Sequence, residues 1–284
     1  MKHAYLIIAH NEFEVLQSLL QAIYDKRNDV YIHFDKKVKK LPALSMLYSR
    51  LHILKRRVDV RWGNISQIKA EFALFEYAYA HGEYQYYHLL SGVHLPLQSQ
   101  DVIHAFFDTV YNKEVLMPMP TSEGEIALKI RKYNLFTNGF ASSSSLSKWF
   151  SQKSWNLLIY MQRLFHIRRH SAFSYMKASN WVSVTGNCVA FLLSKKKNIF
   201  NKYRYTLCGD EFFIPSELGN SNYKFNVLYY DKLLKCNFKG VNPCIYTSLD
   251  YDELIHSQCL FARKFSNKDL VIVNRIVKHV TTDK

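Results

Sequence analysis

The chain has 284 residues, 48% hydrophobic and 21% charged, with 38 Lys and Arg against 23 Asp and Glu for a formal net charge of +15. This balance excludes a disordered tail, a disulfide-stapled miniprotein and a polytopic membrane protein, and it suffices for one large α/β core. The positive charge directs attention to anionic partners, namely nucleic acid, phosphorylated small molecules or an acidic membrane, without choosing among them.

Tyr5-Leu6-Ile7-Ile8-Ala9 is a continuous apolar run of the kind that forms a strand buried on both faces, and His10-Asn11-Glu12 closes it as a polar turn. The run is too short for a signal-peptide core, and no stretch is long and apolar enough to be a membrane span, so the expected setting is cytoplasmic. Val15, Leu16, Leu19, Leu20 and Ile23 then recur at helical spacing, and Val30-Tyr31-Ile32-His33-Phe34 reads as a second strand ending at Asp35-Lys36-Lys37. Strand, helix and strand in about thirty residues make a βαβ unit, which implies a parallel sheet with ligands at its carboxyl ends, where His10 and Asp35 stand.

Val58-Asp59-Val60 continues the strand pattern, Trp62-Gly63 follows, and Ser66 to His81 is helical. Tyr86 to Leu90 reads as a strand ending at Ser91-Gly92, Asp101 to Phe107 as a short helix with Asp101 as N-cap, and Val115-Leu116-Met117 as a further strand. Neither G-x-G-x-x-G nor G-x-x-x-x-G-K-[ST] occurs, so dinucleotide and Walker-type phosphate cradles are unsupported. The character changes after Phe140: the small-residue run Ala141 to Ser145 leads into an aromatic and basic segment, Lys148 to His170, that reads either as an interfacial helix or as an ordinary packed helix with solvated cations. Trp181 to Val184 is a strand and Val189 to Leu193 part of a helix. The five cysteines, Cys188, Cys208, Cys236, Cys244 and Cys259, are odd in number and form no C-x-x-C pair, which favours reduced thiols over disulfides or a zinc site.

Asp210-Glu211 follows Gly209 where a helix begins, and a carboxylate held there by backbone N–H groups can be aimed into a cleft to take a proton from an alcohol; acidic residues at helix starts more often only compensate the dipole. Arg263-Lys264 lies between Phe261 and Phe265, and adjacent Arg and Lys can neutralise a diphosphate. His10, His33 and Asp35 lack a third metal ligand at diagnostic spacing, and Asp250-Tyr251-Asp252 matches a D-x-D metal triplet in letters but lies near the C-terminus and not after a core strand.

In chain order, the segments His3 to Asn11, Ile32 to Lys37, Trp62-Gly63, Tyr87 to Leu97, Asn180 to Ser183, Asp210 to Phe213 and Leu260 to Phe265 resemble the core-2/I-branching β-1,6-N-acetylglucosaminyltransferases and the related peptide O-xylosyltransferases. The resemblance implies one α/β, GT-A-like domain over residues 1–284, a mainly parallel sheet flanked by helices, with residues 1–120 holding the nucleotide-sugar and 121–284 the acceptor and catalytic half. It implies inverting transfer from a UDP-sugar, foremost UDP-N-acetylglucosamine, with no metal or other cofactor. Glu211 becomes the base, Arg263 and Lys264 the cations on the departing UDP, and His10, Asp35, Trp62 and Asp210 substrate-binding residues. The acceptor is expected to be a glycan or lipid-linked glycan in bacterial surface-polysaccharide synthesis, with Lys148 to His170 as a candidate contact with anionic lipid at the inner membrane face.

The chain departs from the family pattern in four places. His94 replaces an acidic residue, Thr185-Gly186-Asn187 replaces T-R-E, no cation stands between Val241 and Cys244, with Lys239 the nearest substitute, and Phe238 replaces a Trp. These departures leave UDP-xylose or UDP-galactose as alternative donors, and an inactive glycan-binding member as a further alternative. A basic nucleic-acid-binding protein is disfavoured, because no RNP-like or helix-turn-helix signature occurs.

Overall fold

Every residue of His3–Ala9 (β1) and Asn28–Phe34 (β2) is buried, as strands covered on both faces must be. The computed structural model describes residues 2–46, 49–140, 142, 144–170, 172–240 and 242–282. Ala141 and Ser143 of the small-residue run, and Val241 of the stretch lacking a cation, lie outside the described residues.

The remaining strands are Leu51–Ile53 (β3), Tyr86–Ser91 (β4), His94–Pro96 (β5), Glu114–Leu116 (β6), Ser183–Thr185 (β7), Val227–Tyr229 (β8), Leu234–Lys235 (β9), Phe238–Lys239 (β10), Asn242–Pro243 (β11) and Phe261–Arg263 (β12). Seven of them form one sheet in the order β3-β2-β1-β4-β7-β6-β8, a shorter sheet runs β5-β12-β9, and β10 and β11 make a hairpin. In the large sheet only β7 runs against its neighbours β4 and β6; the other pairings are parallel. The expected mixed, mainly parallel sheet flanked by helices is therefore what the chain forms.

Ten helices complete the described structure: Phe13–Ala22 (α1), Ser66–His81 (α2), Gln100–Thr109 (α3), Glu123–Lys129 (α4), Ser145–Leu164 (α5), Gly186–Ser194 (α6), Lys196–Tyr203 (α7), Phe213–Gly219 (α8), Tyr251–His256 (α9) and Leu270–Thr281 (α10). They cover both faces of the sheet. One core joins Leu16 and Leu19 of α1, Ile103 and Phe107 of α3 and Ile272 and Ile276 of α10 to the sheet. The other packs Phe72 and Phe75 of α2, Val189 and Leu192 of α6 and Phe213 of α8 against the opposite face. No helix among the described residues is long and apolar enough to cross a membrane.

Several sequence expectations need correction. Ser99, not Asp101, caps α3, because its hydroxyl accepts the Val102 N–H while Asp101 lies within the first turn. Val58 to Val60 form no strand: Val58 donates to His33 Nε2 at 2.8 Å, and its carbonyl accepts from Lys36 N–H. The edge position is instead taken by the half-buried Leu51–Ile53. The strand expected at Trp181–Val184 is shifted to Ser183–Thr185, because Trp181 turns away into the cleft described next.

Candidate active site

Three adjacent strands end together. Ala9 pairs with Phe34 and Ile8 with Ser91, so His10, Asp35 and Gly92 leave the sheet side by side. Asp35 N–H donates to Ala9 C=O and Gly92 N–H to Ile8 C=O, both at 2.9 Å, which fixes these exits. A cleft of about 350 Å³ opens above them, walled by His10, Asp35, Lys37, Trp62, Asn180 and Trp181 and closed by Arg263 and Lys264. The last pair arrives through the short sheet: β12 runs antiparallel to β5, with Arg263 opposite His94.

The charge in this cleft is mostly positive. The Arg263 guanidinium lies 5.0 Å from the centre of the Trp181 ring, its Nε is buried with no hydrogen-bond partner, and burial holds the group below its ordinary value. Among the described residues neither Arg263 nor Lys264 has an ion-pair partner. Asp35 is engaged by Lys37, whose ammonium lies 3.1 Å from Oδ2 and whose N–H donates to Oδ1 at 2.9 Å. His10 is exposed at the mouth of the cleft; partial desolvation by the walls lowers its pKa, Asp35 opposes the shift, and Lys264, Lys37 and Arg263 add to it. A neutral imidazole beside the unpaired Arg263 and Lys264 suits an anionic ligand that would bring its own charge.

Asp210 and Glu211 occupy a 3-10 turn, Gly209–Glu211, entered through Cys208 in the left-handed region at φ 52°. A β-carbon residue held there stores about 1 kcal/mol or more of strain, a cost typical of functional turns. The turn is clamped to the cleft wall: Cys208 N–H donates to Gly63 C=O at 2.9 Å, and Ala178 N–H to Glu211 C=O at 3.0 Å. Gly63 has φ +67°, and a Cβ there would lie 2.9 Å from Leu207 Cδ1, so only glycine lets Trp62 stand beside this turn.

Glu211 Oε2 is buried without a hydrogen-bond partner and faces Lys177 Nζ at 3.4 Å and Lys129 Nζ at 4.0 Å. Asp210 is buried, and burial together with Glu211 pushes its carboxyl up to about 7. Behind it Glu71 of α2 is fully buried with both carboxyl oxygens unpartnered, and burial and Asp210 raise it well above the carboxylate range.

The structure thus gathers His10, Asp35, Trp62, Arg263 and Lys264 around one cleft and sets Asp210 and Glu211 in the turn against its Trp62–Gly63 wall, outside the cleft lining. Lys239 and Phe238 lie on the exposed β10–β11 hairpin, away from the cleft. A third cation in the cleft lining, beside Arg263 and Lys264, is Lys37, paired with Asp35 and Asp59; sequence reasoning passed over it because a charge at a strand end is usually solvated. His94 is fully buried; Ser91 N–H donates to its Nδ1 at 3.0 Å, and its ring meets Trp181 edge-on at 4.9 Å. Burial and Arg263 hold it well below its ordinary pKa. In place of an acid it therefore supplies a neutral prop beneath Trp181.

The Thr185-Gly186-Asn187 departure falls at the far end of the sheet, since Thr185 pairs with Tyr86 at the start of β4. There Thr185 caps α6 and donates to Glu114, and the cleft is untouched. Asp250 is likewise spent, accepting from the Thr247 backbone and hydroxyl as a capping box.

A second groove of about 580 Å³ shares Lys37, Val60 and Trp62 with the first and runs past Asp59, Arg61 and Asn138 to Ser147 and Ser151 at the start of α5. Trp62 stands between the two, half exposed, as a flat apolar face on which a sugar ring can stack.

The sequence matches the family model described as Core-2/I-Branching enzyme over residues 3–233. No curated protein matches it significantly. Among solved structures it is similar to mouse xyloside xylosyltransferase 1 in its apo form, with 8% identity, 92% of this chain and 97% of that chain covered and a TM-score of 0.40. It is also similar to S. aureus TarS, with 12% identity, 49% and 26% covered and a TM-score of 0.27.

Proposed function

The chain belongs to the Core-2/I-branching enzyme family, a family of glycosyltransferases, and on that premise we propose that it moves a sugar, foremost N-acetylglucosamine, from a UDP donor to a glycan hydroxyl with inversion and without a metal ion. The observation that carries the proposal is the convergence of Arg263 and Lys264, unpaired, on the strand ends that carry His10 and Asp35.

In this reading the donor lies across the carboxyl ends of β1, β2 and β4. The acceptor enters along the groove past Trp62. Glu211 accepts the proton of the acceptor hydroxyl as its oxygen bonds to the anomeric carbon; the bond from that carbon to the diphosphate breaks, and its electron pair stays on UDP. The leaving group gains negative charge in that step, and fixed cations aimed at it lower the barrier without reorganising. Arg263 offers a bidentate fork and Lys264 a point charge, the task a divalent ion performs elsewhere. Among the described residues no group of three His, Cys, Asp or Glu is placed to hold a metal, and Asp35, the carboxylate in the cleft lining, is already engaged by Lys37.

The test is turnover of a UDP-sugar panel with excess chelator. Undiminished activity is expected, and complete loss restored by a divalent ion would overturn the metal-free mechanism. Preference within the panel for UDP-xylose or UDP-galactose would reassign the donor.

A further inference from the structure

From Ile126 to Gly209 the chain carries fourteen Lys and Arg and no Asp or Glu, so nearly the whole net charge of +15 arises in this stretch. At its centre α5 is turned the unusual way round. Its inward face is held partly by polar groups: Trp155 Nε1 donates to Asn134 Oδ1 at 2.8 Å, and Gln162 Nε2 donates to Tyr133 C=O at 2.9 Å. Only Ile159 and Gln162 of its twenty residues are buried. Its apolar stripe, Leu146, Trp149, Phe150, Leu157, Tyr160 and Leu164, recurs at three- and four-residue spacing and points to solvent, with Leu146 81% exposed and Trp149 59%.

Cations border the stripe. Lys153 lies within it, and at its carboxyl end a recess of about 300 Å³ is lined by Arg131, Lys132, Arg163, His166 and Arg168. Among the described residues Glu123, paired with Arg131, is the one carboxylate in an ion pair with these five. Lys132 is held below its ordinary pKa by burial and then by Arg168 and Arg163, the mark of cations crowded without counter-charge.

We propose that α5 and the cationic recess at its end form a docking surface for an anionic lipid bilayer, the aromatic stripe entering the interface and the cations meeting phosphate headgroups. An outward apolar stripe with aromatic and basic flanks is what an interfacial helix requires. The charge rules against self-association, because two such faces brought together would repel. On the glycosyltransferase reading, the groove from Trp62 to Ser147 and Ser151 then leads from the membrane surface to the cleft, and a lipid-linked acceptor would enter along it.

The full chain is sedimented with vesicles of phosphatidylcholine alone or phosphatidylcholine mixed with phosphatidylglycerol. Salt-sensitive binding to the mixed vesicles alone is expected. Each cation near an anionic surface contributes roughly fivefold, so K153Q/R163Q/R168Q, all exposed positions, should weaken binding about a hundredfold. W149S/F150S/L157S should abolish it while preserving the thermal unfolding midpoint. Equal binding to neutral vesicles, no binding to either, concentration-dependent dimerisation through α5, or retention of RNA in preference to vesicles would each overturn the proposal. The readout is binding and not turnover, so its failure leaves the assignment of glycosyl transfer untouched.

Discussion

Replacing Arg263 with Met should move stability and ligand affinity in opposite directions. In the free protein the guanidinium is half-buried over Trp181, its Nε unpartnered and no carboxylate beside it. Removing a charge from water costs several kcal/mol even after relaxation; stacking on an indole returns about 1–2 kcal/mol, and the open side of the cleft solvates most of the rest, leaving a deficit of about 1 kcal/mol. A Met of similar length retains the packing on Trp181 and removes the deficit, so the ligand-free protein should gain about 1 kcal/mol, or roughly 2 °C in unfolding midpoint for a chain of this size. Against this, charge-assisted hydrogen bonds to a diphosphate are worth about 1.5–3 kcal/mol, so the Kd for UDP should rise about 10- to 100-fold. Differential scanning fluorimetry with and without UDP, and titration calorimetry, read the two effects separately. A variant that melts lower without ligand yet binds UDP as tightly as the parent would show that Arg263 is a structural residue and refute the reasoning.

Glu211→Gln should lower kcat by about two or more orders of magnitude with UDP affinity unchanged, because it removes the proton acceptor and leaves the cations in place; an unaltered kcat would remove Glu211 from the chemistry. Asp210→Asn tests the buried carboxyl whose folded-state pKa is raised to about 7. A group raised in this way contributes stability that is present below its unfolded value near 4 and lost as pH rises through 7. The stability of the parent relative to D210N should therefore fall by about 3 kcal/mol between pH 5 and pH 8.5, measured by urea unfolding. In the same variant any inflection of the pH–rate profile near 7 should vanish, since no second negative charge then develops beside Glu211.

The central strands and helices were legible because their burial is one-dimensional. A run such as Tyr5 to Ala9 is apolar because both its faces are covered, and α1 shows its buried stripe in its spacing. β3 was not legible: at a sheet edge Leu51, His52 and Ile53 are all half-buried, so neither a continuous run nor an alternation marks them. Nor could the sequence show that β7 is reversed, since strand direction leaves no trace in composition. The cleft was half readable. His10 and Asp35 follow from the βαβ rule, whereas Arg263 and Lys264 reach them only through the pairing of β12 with β5, a contact across most of the chain that the family resemblance anticipated and local patterning did not.

That pairing also says where the molecule can be divided. The family match stops at Leu233, but α10 lays Ile272, Val273 and Ile276 into the same core as α1, and Glu12 accepts from Ser266 Oγ at 3.1 Å and from Asn267 N–H at 2.5 Å. The last fifty or so residues therefore close the N-terminal βαβ unit and complete its charge in one stroke. A fragment cut at the family boundary would lose its solubility and its affinity for UDP together, so deletion is the wrong instrument for dissecting this enzyme, and point substitution on β12 the right one.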